Sequence, residues 1–438
     1  MTGLPLTLGH DATAVGEAMH RLAADLYPIC RSITGSGVRE TLRRLQAHIP
    51  LAVAEVPTGT EVFDWTVPKE WSIADAYVKN SAGERVIDFK KSNLHVLGYS
   101  IPVRARMSLT ELRPHLITIP DQPDAIPYRT SYYTERWGFC LSHDQLLAMP
   151  DGDYDVCIES SLEPGHLTYG ECYLEGESKD EVLISTHVCH PSLANDNLSG
   201  ITLATFLAQR LQTVTRRYSY RFLFIPGTIG SITWLALNEA NLGRVKHGLV
   251  LANVGDAGHL TYKKSRQGNA DVDRAVVNVL RRSGTAHGVR EFLPYGYDER
   301  QFCSPGINLP VGCLSRTPNG EFPEYHTSKD DLTFLRPASL ADSLECCLAI
   351  VRVVEGDRVY VNQNPKGEPQ LGRRGLYRGF GGSMDARARE MALLWVLNLS
   401  DGRHSLLDIS DRSGVDFDTL RGAADALLQH DLLKEVAR

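Results

Sequence analysis

Residues 181–214 read EVLISTHVCHPSLANDNLSGITLATFLAQRLQTV, a strand, a polar loop and a helix in one run. The apolar stretch EVLIST (181–186) ends in His187, Cys189 and His190, and GITLATFLAQRLQTV (200–214) repeats apolar residues at helical spacing. A short apolar run of this kind fits a strand buried on both faces of a parallel sheet. Such sheets place their ligands beyond the carboxyl ends of the strands, where His187, His190 and the Asn195-Asp196-Asn197 turn fall. Imidazole and carboxylate groups this close together suit a borderline cation such as zinc.

The alternation continues on either side. YRFLFIP (220–226) and GLVLANV (248–254) read as further strands, and TIGSITWLALNEAN (228–241) and ADVDRAVVNVLRRSG (270–284) as helices. This pattern predicts an α/β fold with a doubly wound, mainly parallel sheet. Residues 55–165 are instead rich in Thr, Val, Tyr and Trp with frequent Pro and Gly turns, the composition of short strands. The expected organisation is a main domain split over 1–54 and 166–361, an inserted β-rich domain at 55–165, and a Gly- and Pro-rich linker at 362–383. Residues 384–438 then form a unit of three short helices of winged-helix type.

Composition narrows the function. The chain has 438 residues, a net charge of −7 and nine cysteines without a CxxC pair. An acidic balance gives no general attraction to nucleic acid or an anionic membrane. In FDTLRGAADALLQHDLLKE (417–435) only Arg421 and Lys434 are basic, so nucleic acid is not an expected partner of the C-terminal unit. The apolar run LLWVLNL (393–399) is too short to cross a bilayer, and the N-terminus lacks the pattern of a secretion signal. Scattered unpaired cysteines fit a reducing compartment, so the expected location is the cytoplasm. Homo-oligomerisation is left open.

Four later segments carry polar groups after apolar or turn segments: Pro226 to Ser231, Asn253 to Asp256, Tyr297 to Gly306, and Glu321 to Asp330. A His and an Asp nine residues apart in a turn, an Asp after a later strand and a final His-Thr-x-x-Asp resemble the M28-type zinc aminopeptidases. The phrases CRSITGSG, FDWTVPKEW, NLHVLGYS, CHPSLANDNLSG, DERQFCSPG and EYHTSKDDL extend the resemblance over nearly the whole chain. They are similar to the uncharacterised M28-like subgroup with an inserted β domain and a C-terminal winged helix.

By that resemblance His187, Asp196, Asp256 and His326 are the metal ligands, with His190 as an alternative to His187. Asp298 falls where relatives place a substrate-side carboxylate, and Arg300 could grip a substrate carboxylate. The family's Glu-Glu pair, general base and ligand, is replaced here by Gly227-Thr228. The expectation is therefore one zinc ion rather than two, with Glu299 or Glu324 as a substitute catalytic base. The implied activity is zinc-dependent hydrolysis of an amide bond in a small peptide-like or aminoacyl substrate. Two alternatives stand beside it: a non-catalytic ligand-binding or regulatory protein with a degenerate peptidase domain, and a deacylase or other tailoring enzyme of a biosynthetic pathway.

Overall fold

The computed structural model describes residues 6–376 and 384–436. Its largest element is an eight-stranded sheet in the order Ala52–Pro57, His166–Leu174, Ser219–Ile225, Glu181–His187, Val245–Leu251, Val311–Ser315, Leu260–Lys263, His287–Arg290. The four central strands, from Ser219–Ile225 to Val311–Ser315, run parallel. Antiparallel pairings flank them on both sides, and the last pair is parallel again. All seven residues of Glu181–His187 are buried, which explains why that strand reads as an unbroken apolar run rather than an alternating one. The strand expected at 248–254 is observed at Val245–Leu251, because Asn253 turns to a positive φ of 54° and leaves the ladder.

The helix Gly200–Gln212 follows the polar loop as its periodicity predicts. Leu203, Leu207 and Leu211 are fully buried on one side of it, each contributing about 2 kcal/mol by removal from water. Gly200 opens this helix because nothing larger fits: a Cβ there would lie 2.4 Å from the Leu251 carbonyl oxygen. The loop and the sheet edge therefore meet at backbone distance. The next helix, Ile229–Asn238, starts at Thr228, which has a positive φ of 62° and gives it no side-chain cap.

Between the first and second strands of the large sheet the chain builds a four-stranded antiparallel sheet. Its order is Arg85–Asp88, Glu70–Lys79, Asp153–Glu163, Val103–Ser108. Its buried residues Ala76, Val78, Val156 and Ile158 belong to the same continuous apolar cluster as Leu183, Leu223 and Val311 of the large sheet. Both sheets lie in one compact unit, Thr7–Ala270 with Ala286–Glu345.

The second unit comprises Met1–Leu6, Asp271–Thr285 and Cys346–Arg438. In it the helices Met384–Leu399, Leu406–Ser413 and Phe417–Leu428 accompany a three-stranded sheet, Asp401–Ser405, Val359–Asn362, Leu433–Val436. The central strand Val359–Asn362 precedes the segment in which sequence placed the winged helix. A four-residue strand of apolar and polar residues reads like the end of the preceding domain, and only its pairing shows where it belongs. Within the same unit Arg274 of helix Asp271–Arg282 is paired with Asp408 at 2.7 Å and Asp411 at 3.0 Å. Part of the expected linker, residues 377–383, lies outside the described residues. Among the described residues no helix is long and apolar enough to cross a membrane.

Candidate metal centre

His187 is the last residue of its strand and faces the turn that carries Asp196. Its Nε2 lies 2.9 Å from Asp196 Oδ1. On the other side of the ring, the Asn197 side-chain nitrogen lies 3.2 Å from Nδ1 and also donates to Thr186 Oγ1 at 2.8 Å. Asn197 thus orients the imidazole. His190 comes in from the loop, with its Nε2 at 3.9 Å from Asp196 Oδ2. One ligand atom each from His187, His190 and Asp196 lie within 4.8 Å of one another, and all three residues are buried.

His326 joins from a distant turn, with a positive φ of 56°. Its Nε2 lies 3.0 Å from Asp196 Oδ2. That approach lacks hydrogen-bond geometry, and both atoms are buried without a hydrogen-bond partner. Two polar atoms brought this close and left unsatisfied carry a desolvation cost that a cation between such groups would remove. The donor set of imidazoles and one carboxylate fits zinc. Burial raises the Asp196 carboxyl, but His190, His187 and His326 outweigh it and hold it well below the usual carboxylate range. Burial likewise pushes His190 well below its ordinary value, leaving a neutral ring able to donate a lone pair.

A carboxylate that was not singled out as a site residue holds this loop in place. Asp330 accepts from the backbone N–H groups of Asn195 at 2.6 Å and Asp196 at 2.9 Å. It is fully buried, and burial raises its pKa to about 8 against the pull of those N–H donors. The His-Thr-x-x-Asp motif contained the signal: His326 and Asp330 serve the same loop from one turn.

Asp256 is buried but stands outside the three-residue cluster. Its carboxylate accepts from Asn195 Nδ2 at 2.9 Å, Gly258 N at 2.6 Å and Thr317 Oγ1 at 2.8 Å. Those bonds occupy the lone pairs that a ligand role would need, so the geometry makes Asp256 a brace for the Asn195 turn. Glu299 is also spent elsewhere: it pairs with Lys263 and accepts from Tyr297 N at 3.1 Å. The Arg300 side chain is exposed, and Glu324 is half-buried in the turn before His326.

The place of the missing Glu-Glu pair is filled by the 297–298 segment. A Cβ at Gly227 would fall 1.8 Å from the Tyr297 ring, so no side chain fits there. Asp298 Oδ1 accepts from Thr228 N at 2.7 Å and Ser231 Oγ at 2.9 Å, supplying from a distant loop the cap that helix Ile229–Asn238 lacks. Its Oδ2 is buried without a partner. Burial raises the Asp298 pKa to about 6, partly offset by nearby His187. The Cys189 thiol bonds Tyr297 Oη and the Gly227 N–H, each at 3.2 Å. Burial pushes it up to about 12, so it stays a thiol.

Aromatic rings close the cluster. Tyr128 lies edge-on to both His190 and His326 at 5.1 Å, and Tyr325 stacks on His326 at 4.0 Å. Tyr128 is held there by backbone pairing, its N–H donating to the His326 carbonyl at 2.8 Å, with Ser328 N on Ile126 O at 2.8 Å.

A family described as "Domain of unknown function (DUF4910)" matches residues 20–357. The chain belongs to the DUF4910 family. A winged helix-turn-helix model matches residues 358–435, consistent with the strand Val359–Asn362 at the start of that unit. The chain is 54% identical to a Clostridium acetobutylicum protein over 97% of its own length and 98% of the relative's. That relative is provisionally named a polysaccharide biosynthesis protein with an aminopeptidase-like domain. A crystal structure of a provisionally named peptidase from the same organism superposes with a TM-score of 0.93 at 52% identity, covering 97% of this chain and 98% of that one. A zinc aminopeptidase from Bacillus subtilis shares the fold at 14% identity, with a TM-score of 0.56 over 80% of this chain and 95% of its own. This DUF4910 chain thus has an aminopeptidase-like fold with a C-terminal winged helix.

Proposed function

We propose that this protein is a zinc-dependent hydrolase acting on an amide bond of a small peptide-like or aminoacyl substrate. The observation that carries this reading is the unsatisfied pair of buried atoms, Asp196 Oδ2 and His326 Nε2, beside His187 and His190. In this reading His187, Asp196 and His326 hold one zinc ion, with His190 an alternative or additional ligand and Asp256 bracing the turn. When bound, zinc supplies a Lewis acid that polarises a carbonyl and makes water acidic enough to attack near neutral pH. Asn197 and Asp330 keep the ligands aimed, and Tyr128 and Tyr325 exclude bulk water. Asp298 takes the role expected of Glu299: its free Oδ2 can hold the proton released by water and return it to the leaving nitrogen.

Two observations favour a second reading. The relative's name refers to polysaccharide biosynthesis, and the cluster is enclosed, with His187, His190 and Asp196 no more than 5% exposed. Both suit deacylation of a small N-acyl sugar better than cleavage of long peptides. The test is turnover by the full chain with added zinc on aminoacyl amides, short peptides and N-acetyl amino sugars, beside His187→Ala and His326→Ala. Turnover in the wild type that both variants lose is the expected result. Turnover equal in all three would overturn the site assignment.

A further inference from the structure

Arg31, in the phrase CRSITGSG (30–37), is tied to the loop of His190 from the N-terminal side of the fold. It is only 2% exposed. Its Nε donates to the His190 carbonyl at 2.8 Å and its Nη1 to the Leu26 carbonyl at 2.6 Å. Leu26 closes the helix Ala12–Leu26, and the carbonyls at a helix C-terminus favour a cation. The buried guanidinium thus rests on a helix end, and no carboxylate is among the groups that act on its charge. A second stitch runs beside the first: Ser192, also buried, donates from Oγ to the Tyr27 carbonyl at 2.8 Å.

A neutral donor would tie down one carbonyl at less cost, because a buried charge gives up its hydration. What the guanidinium adds is its planar fork, which fixes two acceptors at once as a lysine ammonium does not. The residue fixed in this way is His190. Its ring is set as firmly as its backbone: Nδ1 lies 3.6 Å from Cys189 Sγ, and Tyr128 meets the ring edge-on at 5.1 Å. Nε2 is left on the side of Asp196 Oδ2, at 3.9 Å. The His190 ring centre stands 4.8 Å from that of His187 and 5.2 Å from that of His326. Gly227 and Thr228 bring no imidazole or carboxylate to the cluster, while Asp256 and Glu299 are engaged elsewhere.

We propose that Arg31 is a positioning residue that holds His190 in place as a ligand, so that the cluster takes its metal through three imidazoles and one carboxylate. The proposal rests on the metal-binding reading of the cluster and involves no step of a reaction. Arg31 acts through the His190 carbonyl and sets where the imidazole stands, whereas Cys189 and Tyr128 set how it turns. Outer partners of this kind govern metal affinity by about 10- to 100-fold.

Cobalt(II), whose visible absorption reports the number and type of its ligands, is the probe. The full-length wild type, His190→Ala, Arg31→Lys and Ser192→Ala are titrated with it, each checked for folding by circular dichroism. His190→Ala should change the wild-type band and weaken binding. Arg31→Lys should change the band in the same direction, with a loss of affinity of about 10- to 100-fold. Ser192→Ala removes a single hydroxyl, should show a smaller change of the same kind, and decides the matter if Arg31→Lys does not fold. An arginine with a merely structural role would lower stability and leave the band of the folded protein as it is. No cobalt bound by the wild type would overturn the metal centre and the proposal with it. Wild-type band and affinity in His190→Ala, or in every folded variant of Arg31 and Ser192, would overturn the proposal and leave the metal centre standing.

Discussion

Gly227 has no space for a side chain, because the Tyr297 ring occupies the position of its missing Cβ. Gly227→Ala is therefore expected to destabilise the fold by about 1–3 kcal/mol through overpacking. The combination with Tyr297→Ala should recover part of that loss in denaturant unfolding, and a Gly227→Ala variant as stable as wild type would refute the contact. Asp298, on the next residue, offers a pH test. Its folded pKa is raised to about 6, whereas the unfolded side chain titrates near 4. Between those values the folded state keeps a proton that the unfolded state has released, so wild-type stability falls as pH rises through the window. Asp298→Asn removes this dependence. Its melting temperature relative to wild type should rise from about pH 4 to pH 6 and level off above about pH 7, and a constant offset would contradict the assigned environment.

At the scale of elements, the strand Glu181–His187, the polar turn and the helix Gly200–Gln212 were legible because local periodicity and burial agree there. What was not legible depends on long-range packing. The turn at 194–199 is held by Asp330 and braced by Asp256, partners that periodicity cannot assign. Tyr128, from the segment expected to be an inserted domain, reaches the cluster because residues 126–128 pair with 326–328. Glu299 carried the right chemistry for a base, but its pairing with Lys263 could not be read from sequence. Asp330→Asn should leave the side chains proposed as metal ligands intact while loosening their loop. The expected effect is a 10- to 100-fold loss of zinc affinity by competition with a chelator, and unchanged affinity would remove Asp330 from the account.

Over the whole molecule, the alternation of strands and helices and the separate C-terminal pattern were sufficient to anticipate an α/β core with a winged helix. The strand Val359–Asn362 shows where this approach stops: four residues carry too little pattern to say which sheet they join. In the winged helix one of the two basic residues of 417–435, Arg421, lies 3.5 Å from Asp418 and so is partly neutralised. The full chain should therefore give no salt-dependent shift of duplex DNA, and a shift that weakens steeply with salt would show a nucleic-acid role.

The central claim is that the histidine and aspartate cluster at the sheet's carboxyl edge holds zinc. Elemental analysis of the purified full chain, dialysed after zinc loading, measures it directly when repeated on His187→Ala and His326→Ala. The account predicts one zinc per wild-type chain and loss of the metal from both variants, each still folded by circular dichroism. Zinc retained at the wild-type level in both variants, or none bound by the wild type, would contradict it.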